Sequence, residues 1–373
     1  MKIGVVKEVK DNENRVSVVP AGVKELIAHG HEVYVQKNAG AGSGFDNKQY
    51  QKAGATILDT MDAIYQEADL IVKVKEPQPI EYDMLKKNQM LFTYLHLAVE
   101  PELAEVLTKK KISSIAYESV QKETGELPLL SPMSEIAGKM SVQIGAHFLE
   151  SHNGGSGVLL GGVPGVRSGD ILIVGAGNVG LNAIKAAVGT GARVAVADVD
   201  INKLRKIDNI FGSHVQTIVS TSSNLEEEVK KADLLIGAVL IPNSKAPQII
   251  TEAMVKSMKK GSVIVDVAID QGGIVETIDK VTTHSNPVFE KHGVIHYSVA
   301  NIPGAVAHTS TLALTNATLP YLLKIADNGF INAIKKDFAL EKGVNTYKGE
   351  IVKREVAQAL EMKHSELSML VGF

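Results

Sequence analysis

A few residues in this sequence have types and spacings that point to chemistry. Gly175, Gly177 and Gly180 follow one another as G-x-G-x-x-G inside DILIVGAGNVGLNAIKAAVGTGARVAVAD, Asp170 to Asp198. The first glycine permits a tight turn, the second lets a pyrophosphate approach the backbone, and the third lets helix and strand pack closely. The helix that follows turns unpaired N–H groups and a positive dipole end toward the phosphates. Asp198 stands 23 positions after Gly175, where an acid accepts hydrogen bonds from a ribose and repels a 2′-phosphate. This favours NAD over NADP, although Lys203 and Arg205 stand near enough to offer a phosphate a counter-charge. A lone glycine fingerprint is weak evidence. Here strand, turn, helix, strand and acid fall in register.

Four further residues near strand ends are candidates for substrate chemistry. Arg15 follows the first strand, and its guanidinium suits a bidentate grip on a carboxylate; by position alone it reads as a surface arginine. Lys75 closes DLIVKVKEP, where alternation puts Lys73 and Lys75 on one face of an apolar strand. A lysine at a buried strand end needs an anionic or carbonyl partner, and a snorkelling lysine explains it equally well. His96 ends MLFTYLH and suits proton shuttling near neutral pH; a hydrogen-bonded structural histidine is the plainer reading. Asp270 follows VIVDVAI at a strand end facing the nicotinamide side of a dinucleotide, with Asp266 the buried structural acid of the pair.

These residues need strands to carry them. Residues 1–130 read as an α/β unit with strands Ile3–Val6, His31–Val35, Asp69–Val74, Met90–Leu95 and Ile112–Ala116. Helices fall at Ala21–His29, Tyr50–Ala53, Asp62–Glu67, Tyr82–Lys87 and Pro101–Lys109. Ser134–His152 reads as an amphipathic connecting helix. The glycine-dense segment 154–169 that follows it reads as a loop under close backbone packing. After Asp198, strands at His214–Val219, Leu234–Leu240, Ser262–Ala268 and Val294–Tyr297 continue the alternation. Six such strands with helical crossovers make a doubly wound sheet, whose ligands lie beyond the carboxyl ends of the strands. That rule alone selects Ser220, Val239, Leu240, Val267, Ala268, Ile269, Asp270, Ser298, Val299, Ala300 and Asn301. Ala305 to Asp327, broken near Pro320, reads as a helix returning to the first unit. The expected organisation is therefore two Rossmann-like α/β domains, 1–130 with about 305–373 and 131–304, with the active site in the cleft between them.

Composition narrows the class. The 373 residues are 45% hydrophobic and 22% charged, with a formal net charge of −3 and no cysteine. Disulfides, thiolate metal sites and thioester catalysis are thereby excluded. No basic block suggests nucleic acid, and no apolar run suggests a membrane helix or a signal peptide. A cytoplasmic enzyme acting on a small molecule is expected, with no metal, nucleic-acid or membrane partner.

Several long stretches carry a likeness that runs nearly end to end. They are KEVKDNENRV (7–16), VKVKEP (72–77), LFTYLHLA (91–98), LPLLSPMSEIAGKMS (127–141), LLGGVPGV (159–166), IGAVLIPNSKAP (236–247), VDVAIDQGG (265–273) and VANIPGAV (299–306). In these the sequence resembles the alanine dehydrogenase and pyridine nucleotide transhydrogenase family, bacterial L-alanine dehydrogenases in particular. The resemblance implies NAD-dependent, reversible oxidative deamination of L-alanine to pyruvate and ammonium. It implies that Arg15 and Lys75 hold the substrate and that His96 and Asp270 are the acid–base residues. It adds Ser134, Asn178, Val179 and Lys203 to the NAD-lining set and implies a cytoplasmic homohexamer. A related amino-acid or keto-acid reductive-amination enzyme and a soluble transhydrogenase-like domain are the alternatives. The sequence departs from the family where Ala307-His308-Thr309-Ser310-Thr311 replaces P-R-T-S-T.

Overall fold

Short apolar runs become the strands of two sheets in the computed structural model, which describes residues 1–239 and 246–372, with the backbone alone at Asp270 and Gln271. In chain order the strands are β1 (Lys2–Val5), β2 (Glu32–Gln36), β3 (Thr56–Leu58), β4 (Leu70–Val72), β5 (Met90–Thr93) and β6 (Ser113–Ala116). They continue as β7 (Asp170–Val174), β8 (Arg193–Asp198), β9 (Val215–Val219), β10 (Leu234–Gly237), β11 (Val263–Asp266), β12 (Val288–Lys291) and β13 (Val294–Tyr297). The last two are β14 (Val344–Tyr347) and β15 (Glu350–Ile351). The chain divides into two units, Met1–Met133 with Val306–Phe373, and Ser134–Ala305.

In the first unit the sheet runs β15-β14-β6-β5-β4-β1-β2-β3. Strands β1 to β6 are parallel, and β14 joins β6 antiparallel. In the second unit the order is β12-β13-β11-β10-β7-β8-β9, all parallel except β12. Counted within each unit, the parallel strands follow the order 3-2-1-4-5-6, so both units are doubly wound Rossmann-like sheets. Alternation explains why both faces of the second sheet are covered. Ile171, Ile173, Leu234, Ile236, Val263 and Val265 fill one core, while Leu172, Val174, Leu235 and Ile264 fill the other.

The structure departs from the sequence reading in ways that have physical causes. Tyr82–Lys87 is not a helix. The helix there is Pro79–Tyr82, begun by a capping box between Gln78 and Glu81. The next carbonyls are taken by Lys110, whose Nζ donates to Tyr82, Asp83 and Leu85 oxygens at 2.7, 2.9 and 2.8 Å. The strands β3, β14 and β15 are two to four residues long, too short for a periodic signal. The long helical segment Ala307–Lys336 passes through Pro320 and is broken into two helices at Gly329, whose φ is 71°. The connecting helix begins earlier and ends sooner than expected, at Ser131–Phe148.

The largest departure is at β4. The strand stops at Val72, so Lys73 and Lys75 do not share a strand face. Lys73 is 0% exposed. Its ammonium lies 3.1 Å from Glu8 Oε2 and 2.9 Å from Glu81 Oε1. Tyr65 Oη donates to Glu81 at 2.9 Å. Burial raises the Glu8 pKa in spite of Lys73. Removing one partner from such a cluster leaves buried charge unmatched. Lys73→Met is therefore expected to lower unfolding stability by about 3–5 kcal/mol, read as a lower midpoint in urea. A triple variant that also replaces Glu8 and Glu81 by Gln recovers part of the loss if the cluster is the cause.

Candidate active site

In the second unit, every predicted dinucleotide residue that the structure describes lies at the carboxyl edge of the sheet or on the neighbouring helix Ser131–Phe148. The turn after β7 places Gly175 at φ 108°, and a Cβ there would lie 2.5 Å from Ala238 O. A Cβ on Gly180 would lie 1.8 Å from Gly175 O, so the helix Asn178–Gly189 packs against its own turn only because that position is glycine. Gly177 differs: a Cβ there would meet nothing within 4 Å. It caps the helix without a side chain, which leaves open space beside the first helical turn, where a pyrophosphate fits.

Asp198, at the end of β8, is 7% exposed. Its Oδ2 accepts from Ala176 N at 2.7 Å and its Oδ1 from Asp200 N at 2.9 Å. The acid thus ties the glycine turn to the neighbouring strand and retains lone pairs for a ribose. Lys203 Nζ lies 3.7 Å away on the Oδ2 side. Ser220 follows β9, Val239 follows β10, Val267, Ala268, Ile269 and Asp270 form the turn after β11, and Ser298, Val299, Ala300 and Asn301 follow β13. Leu240 lies outside the described residues. Ser134 and Asn178 stand on their helices, half-buried and exposed respectively. Asp266 is the buried acid of its pair, accepting from Ala268 N at 3.0 Å and Ile274 N at 2.7 Å. Burial pushes its pKa up to about 6. It shapes the turn that carries Asp270.

In the first unit, Arg15 is not a surface residue; it is 2% exposed. Its Nε donates to Glu13 Oε1 at 2.7 Å and an Nη to Glu13 Oε2 at 2.5 Å, while the other Nη lies 3.1 Å from Met133 Sδ. Burial opposes ionisation of Glu13, but the hydrogen bonds from Arg15 outweigh it and hold the carboxyl below its ordinary pKa. Lys75 is half-buried, and among the described residues its Nζ meets no hydrogen-bond or ion-pair partner. Burial first, then the Arg15 guanidinium, pull its pKa below the ordinary lysine value. Two cations thus neighbour each other, and one of them is unmatched.

His96 follows β5 with a left-handed backbone, φ 47° and ψ 34°, uncommon for a side chain with a Cβ. Glu118 holds it there: its Oε1 accepts from His96 N at 2.7 Å, and Leu95 N lies 3.2 Å from both of its oxygens. The exposed imidazole stacks on Tyr94, centroids 5.9 Å apart and planes 8° apart. Tyr94 is itself fixed by its hydroxyl on Leu129 O at 2.6 Å and by the edge contact with Tyr117. Sequence reasoning missed Glu8, Glu13, Glu76, Glu118, Tyr94 and Met133; the glutamates within KEVKDNENR and KVKEP were the available signal. His308 stacks on Phe45 and its Nδ1 lies 2.6 Å from Ser43 O, so the residue that departs from the family pattern is built into its own unit.

Residues 4–137 match the family model "Alanine dehydrogenase/PNT, N-terminal domain" and residues 141–354 match "Alanine dehydrogenase/PNT, C-terminal domain". The chain is 56% identical to an alanine dehydrogenase of Methanococcus maripaludis over 365 residues, covering 98% of each. It is 53% identical to alanine dehydrogenase 2 of Staphylococcus aureus over 367 residues, again covering 98% of each. Among solved structures, an L-alanine dehydrogenase matches with a TM-score of 0.94 at 48% identity, covering 97% of this chain and 99% of that one. A transhydrogenase from Sinorhizobium meliloti matches with a TM-score of 0.81 at 25% identity, covering 95% and 99%.

The two turn glycines predict different failures. Gly177→Ala meets no atom, so the free protein should melt within about 2 °C of the parent, yet NAD⁺ affinity in calorimetric titration should fall at least about tenfold because the methyl takes the phosphate's space. Gly180→Ala should instead lower the melting temperature by several degrees, on the order of 1–3 kcal/mol of strain. Equal effects of the two variants on melting would contradict these separate roles.

Proposed function

We propose that this chain, which belongs to the alanine dehydrogenase/PNT family, catalyses the NAD-dependent, reversible oxidative deamination of L-alanine to pyruvate and ammonium. The observation that carries the substrate assignment is Lys75, a half-buried cation beside the buried Arg15 whose ammonium meets no partner of its own. Such a pair suits the carboxylate of a three-carbon acid.

NAD, when bound, accepts hydride from the alanine Cα. The glycine turn and Asp198 supply the cradle for its pyrophosphate and ribose. Arg15 and Lys75 orient the substrate's carboxylate and the oxygen that becomes the pyruvate carbonyl, a proximity effect. Lys75 also offsets negative charge developing on that oxygen. Hydride loss leaves an iminium; water adds, and the carbinolamine collapses to pyruvate with loss of ammonia. His96 and Asp270 together move the protons to and from the attacking water. The left-handed backbone at His96 supports this role, because a carboxylate is spent on holding the imidazole at the strand mouth. Ser134, Asn178, Val179, Lys203, Ser220, Val239, Leu240, Val267 to Ile269 and Ser298 to Asn301 complete the dinucleotide lining in this reading. The enzyme is proposed to work in the cytoplasm as a homohexamer. Among the described residues, no helix is long and apolar enough to cross a membrane.

The test is NADH formation with NAD⁺ and a panel of amino acids at alkaline pH, with NADP⁺ as a control. Turnover concentrated on L-alanine is expected. His96→Ala and Asp270→Asn should each lower kcat by about 10²-fold or more with the fold retained. Near-normal turnover in either variant removes that residue from the proton-transfer pair; activity confined to a bulkier amino acid overturns the substrate.

A further inference from the structure

Arg15 lies in a stretch that no strand or helix holds. Between the end of β1 at Val5 and the helix Pro20–Ala28 the backbone is irregular, yet Arg15 is buried. Backbone groups there need partners from elsewhere in the chain. The two peptide units that flank the Arg15 Cα find them on two hydroxyls. Ser43 Oγ donates to Asn14 O at 2.7 Å, and Val16 N donates to Thr311 Oγ1 at 3.1 Å. The two hydroxyl oxygens lie 2.8 Å apart, and both side chains are buried.

A hydroxyl carries one proton. Ser43 gives its proton to Asn14 O, so Thr311 donates to Ser43. The bonds then run one way, from Val16 N–H through Thr311 and Ser43 to the Asn14 carbonyl, and close on the segment at the other side of Arg15. Bonds in such a chain strengthen one another. The Ala307 carbonyl, 3.4 Å from Ser43 Oγ, is the weaker acceptor. Ser43 belongs to the short helical turn Ala41–Ser43, and Gly42 lets that turn reach the segment: a Cβ there would lie 2.8 Å from Asn14 Cβ. His308, three residues before Thr311, meets the Ser43 carbonyl at 2.6 Å. Beyond Val16, Ser17 Oγ donates to Val72 O at 2.7 Å and joins the segment to the end of β4, from which the chain runs on to Lys75.

We propose that Ser43 and Thr311 are positioning residues of the substrate-carboxylate subsite: their hydroxyl pair fixes both peptide units around Arg15 and so aims its guanidinium at the substrate. This rests on the reading that Arg15 binds the substrate. Glu13 engages the guanidinium directly, but it stands two residues away on the same segment and moves with Arg15. The hydroxyls come from partners 29 and 295 residues distant along the chain, so they fix the segment against the rest of its unit. A pair that merely satisfied buried backbone groups would serve stability; a pair that aims an arginine serves binding.

The experiment measures the inhibition constant of oxamate, an isostere of pyruvate, against the NADH-bound enzyme, beside pyruvate KM, kcat and NADH affinity. Ser43→Ala and Thr311→Val should each raise the oxamate constant and the pyruvate KM about tenfold, with saturating kcat within about threefold of the parent and NADH affinity unchanged. Thr311→Ser keeps the hydroxyl and should stay near the parent. Thr315→Val deletes a buried hydroxyl one turn on, whose bonds go to the Thr311 and Leu312 carbonyls of its own helix at 2.9 and 3.2 Å; oxamate binding should keep its parent value there. Arg15→Lys alone should weaken oxamate at least about tenfold. In that background the Thr311→Val effect should fall below about threefold, because an ammonium is a point charge that needs little aim. Ser43→Ala removes a single oxygen and carries the test if Thr311→Val does not fold. A parent-like oxamate constant in the hydroxyl variants, an equal loss in Thr315→Val, or a full Thr311→Val effect in the Arg15→Lys background overturns the proposal. An Arg15→Lys enzyme that binds oxamate as tightly as the parent overturns the reading of Arg15, and the proposal with it.

Discussion

A parallel strand that ends in a sheet interior releases its last N–H groups at the place where polar side chains are needed. In this protein the recurring answer is a carboxylate that accepts those N–H groups. Glu8 takes Val74 and Lys75 after β4, and Glu118 takes Leu95 and His96 after β5. In the other unit Asp198 takes Ala176 and Asp200, and Asp266 takes Ala268 and Ile274. Each such carboxylate fixes a turn that carries a candidate functional residue: Lys75, His96, the glycine turn and Asp270. The positions of those residues depend on these four acids more directly than on the hydrophobic cores, which set only where the strands end.

Such acids come at a cost that the surroundings redistribute. Asp266 has backbone donors alone, and burial raises it to about 6. Glu8 has Lys73 and is still raised by burial. Glu13 and Glu76, each with a side-chain cation directly on the carboxylate, go the other way. The difference is one of distance and number. A cation at hydrogen-bond length offsets desolvation, whereas one cation shared between Glu8 and Glu81 does not. Of these four buried acids, the two held below the ordinary carboxylate range are the ones beside Arg15 and Lys10.

The Rossmann pattern was legible because each of its parts has a local cause. The β7–helix–β8 unit follows from apolar runs, turn glycines and an acid at a fixed distance, and the strand-end rule then selected Ser220, Val239 and Ser298 without a motif. Burial of charge was not legible. KVK alternates like any strand edge, and nothing local shows that β4 stops at Val72, that Glu81 turns back onto Lys73, or that Arg15 lies buried on Glu13. Arg15 and Glu13 are 2 residues apart, but Lys73 and Glu8 are 65 apart, and only the tertiary fold brings the distant pair together. The break in the long helix was misplaced for a related reason. Pro320 signals a lost N–H, but a helix can continue past one missing bond, whereas the left-handed φ at Gly329 ends helical geometry outright.

The charge balance at the substrate end bears on what that end can accept. Lys10, Arg15 and Lys75 face Glu13 and Glu76, while Glu8, which also acts on Arg15, shares Lys73 with Glu81. Lys75 is the cation of this group whose ammonium meets no partner among the described residues. In the proposed function, the carboxylate of a keto acid would supply that lysine with the counter-charge it lacks. A zwitterionic amino acid adds an ammonium, for which Arg15 and Lys75 are repulsive neighbours, so its amino group must point away from them as its carboxylate points toward them. If Arg15 and Lys75 bind the substrate as proposed, their charge orients it end to end before any steric limit on the side chain applies.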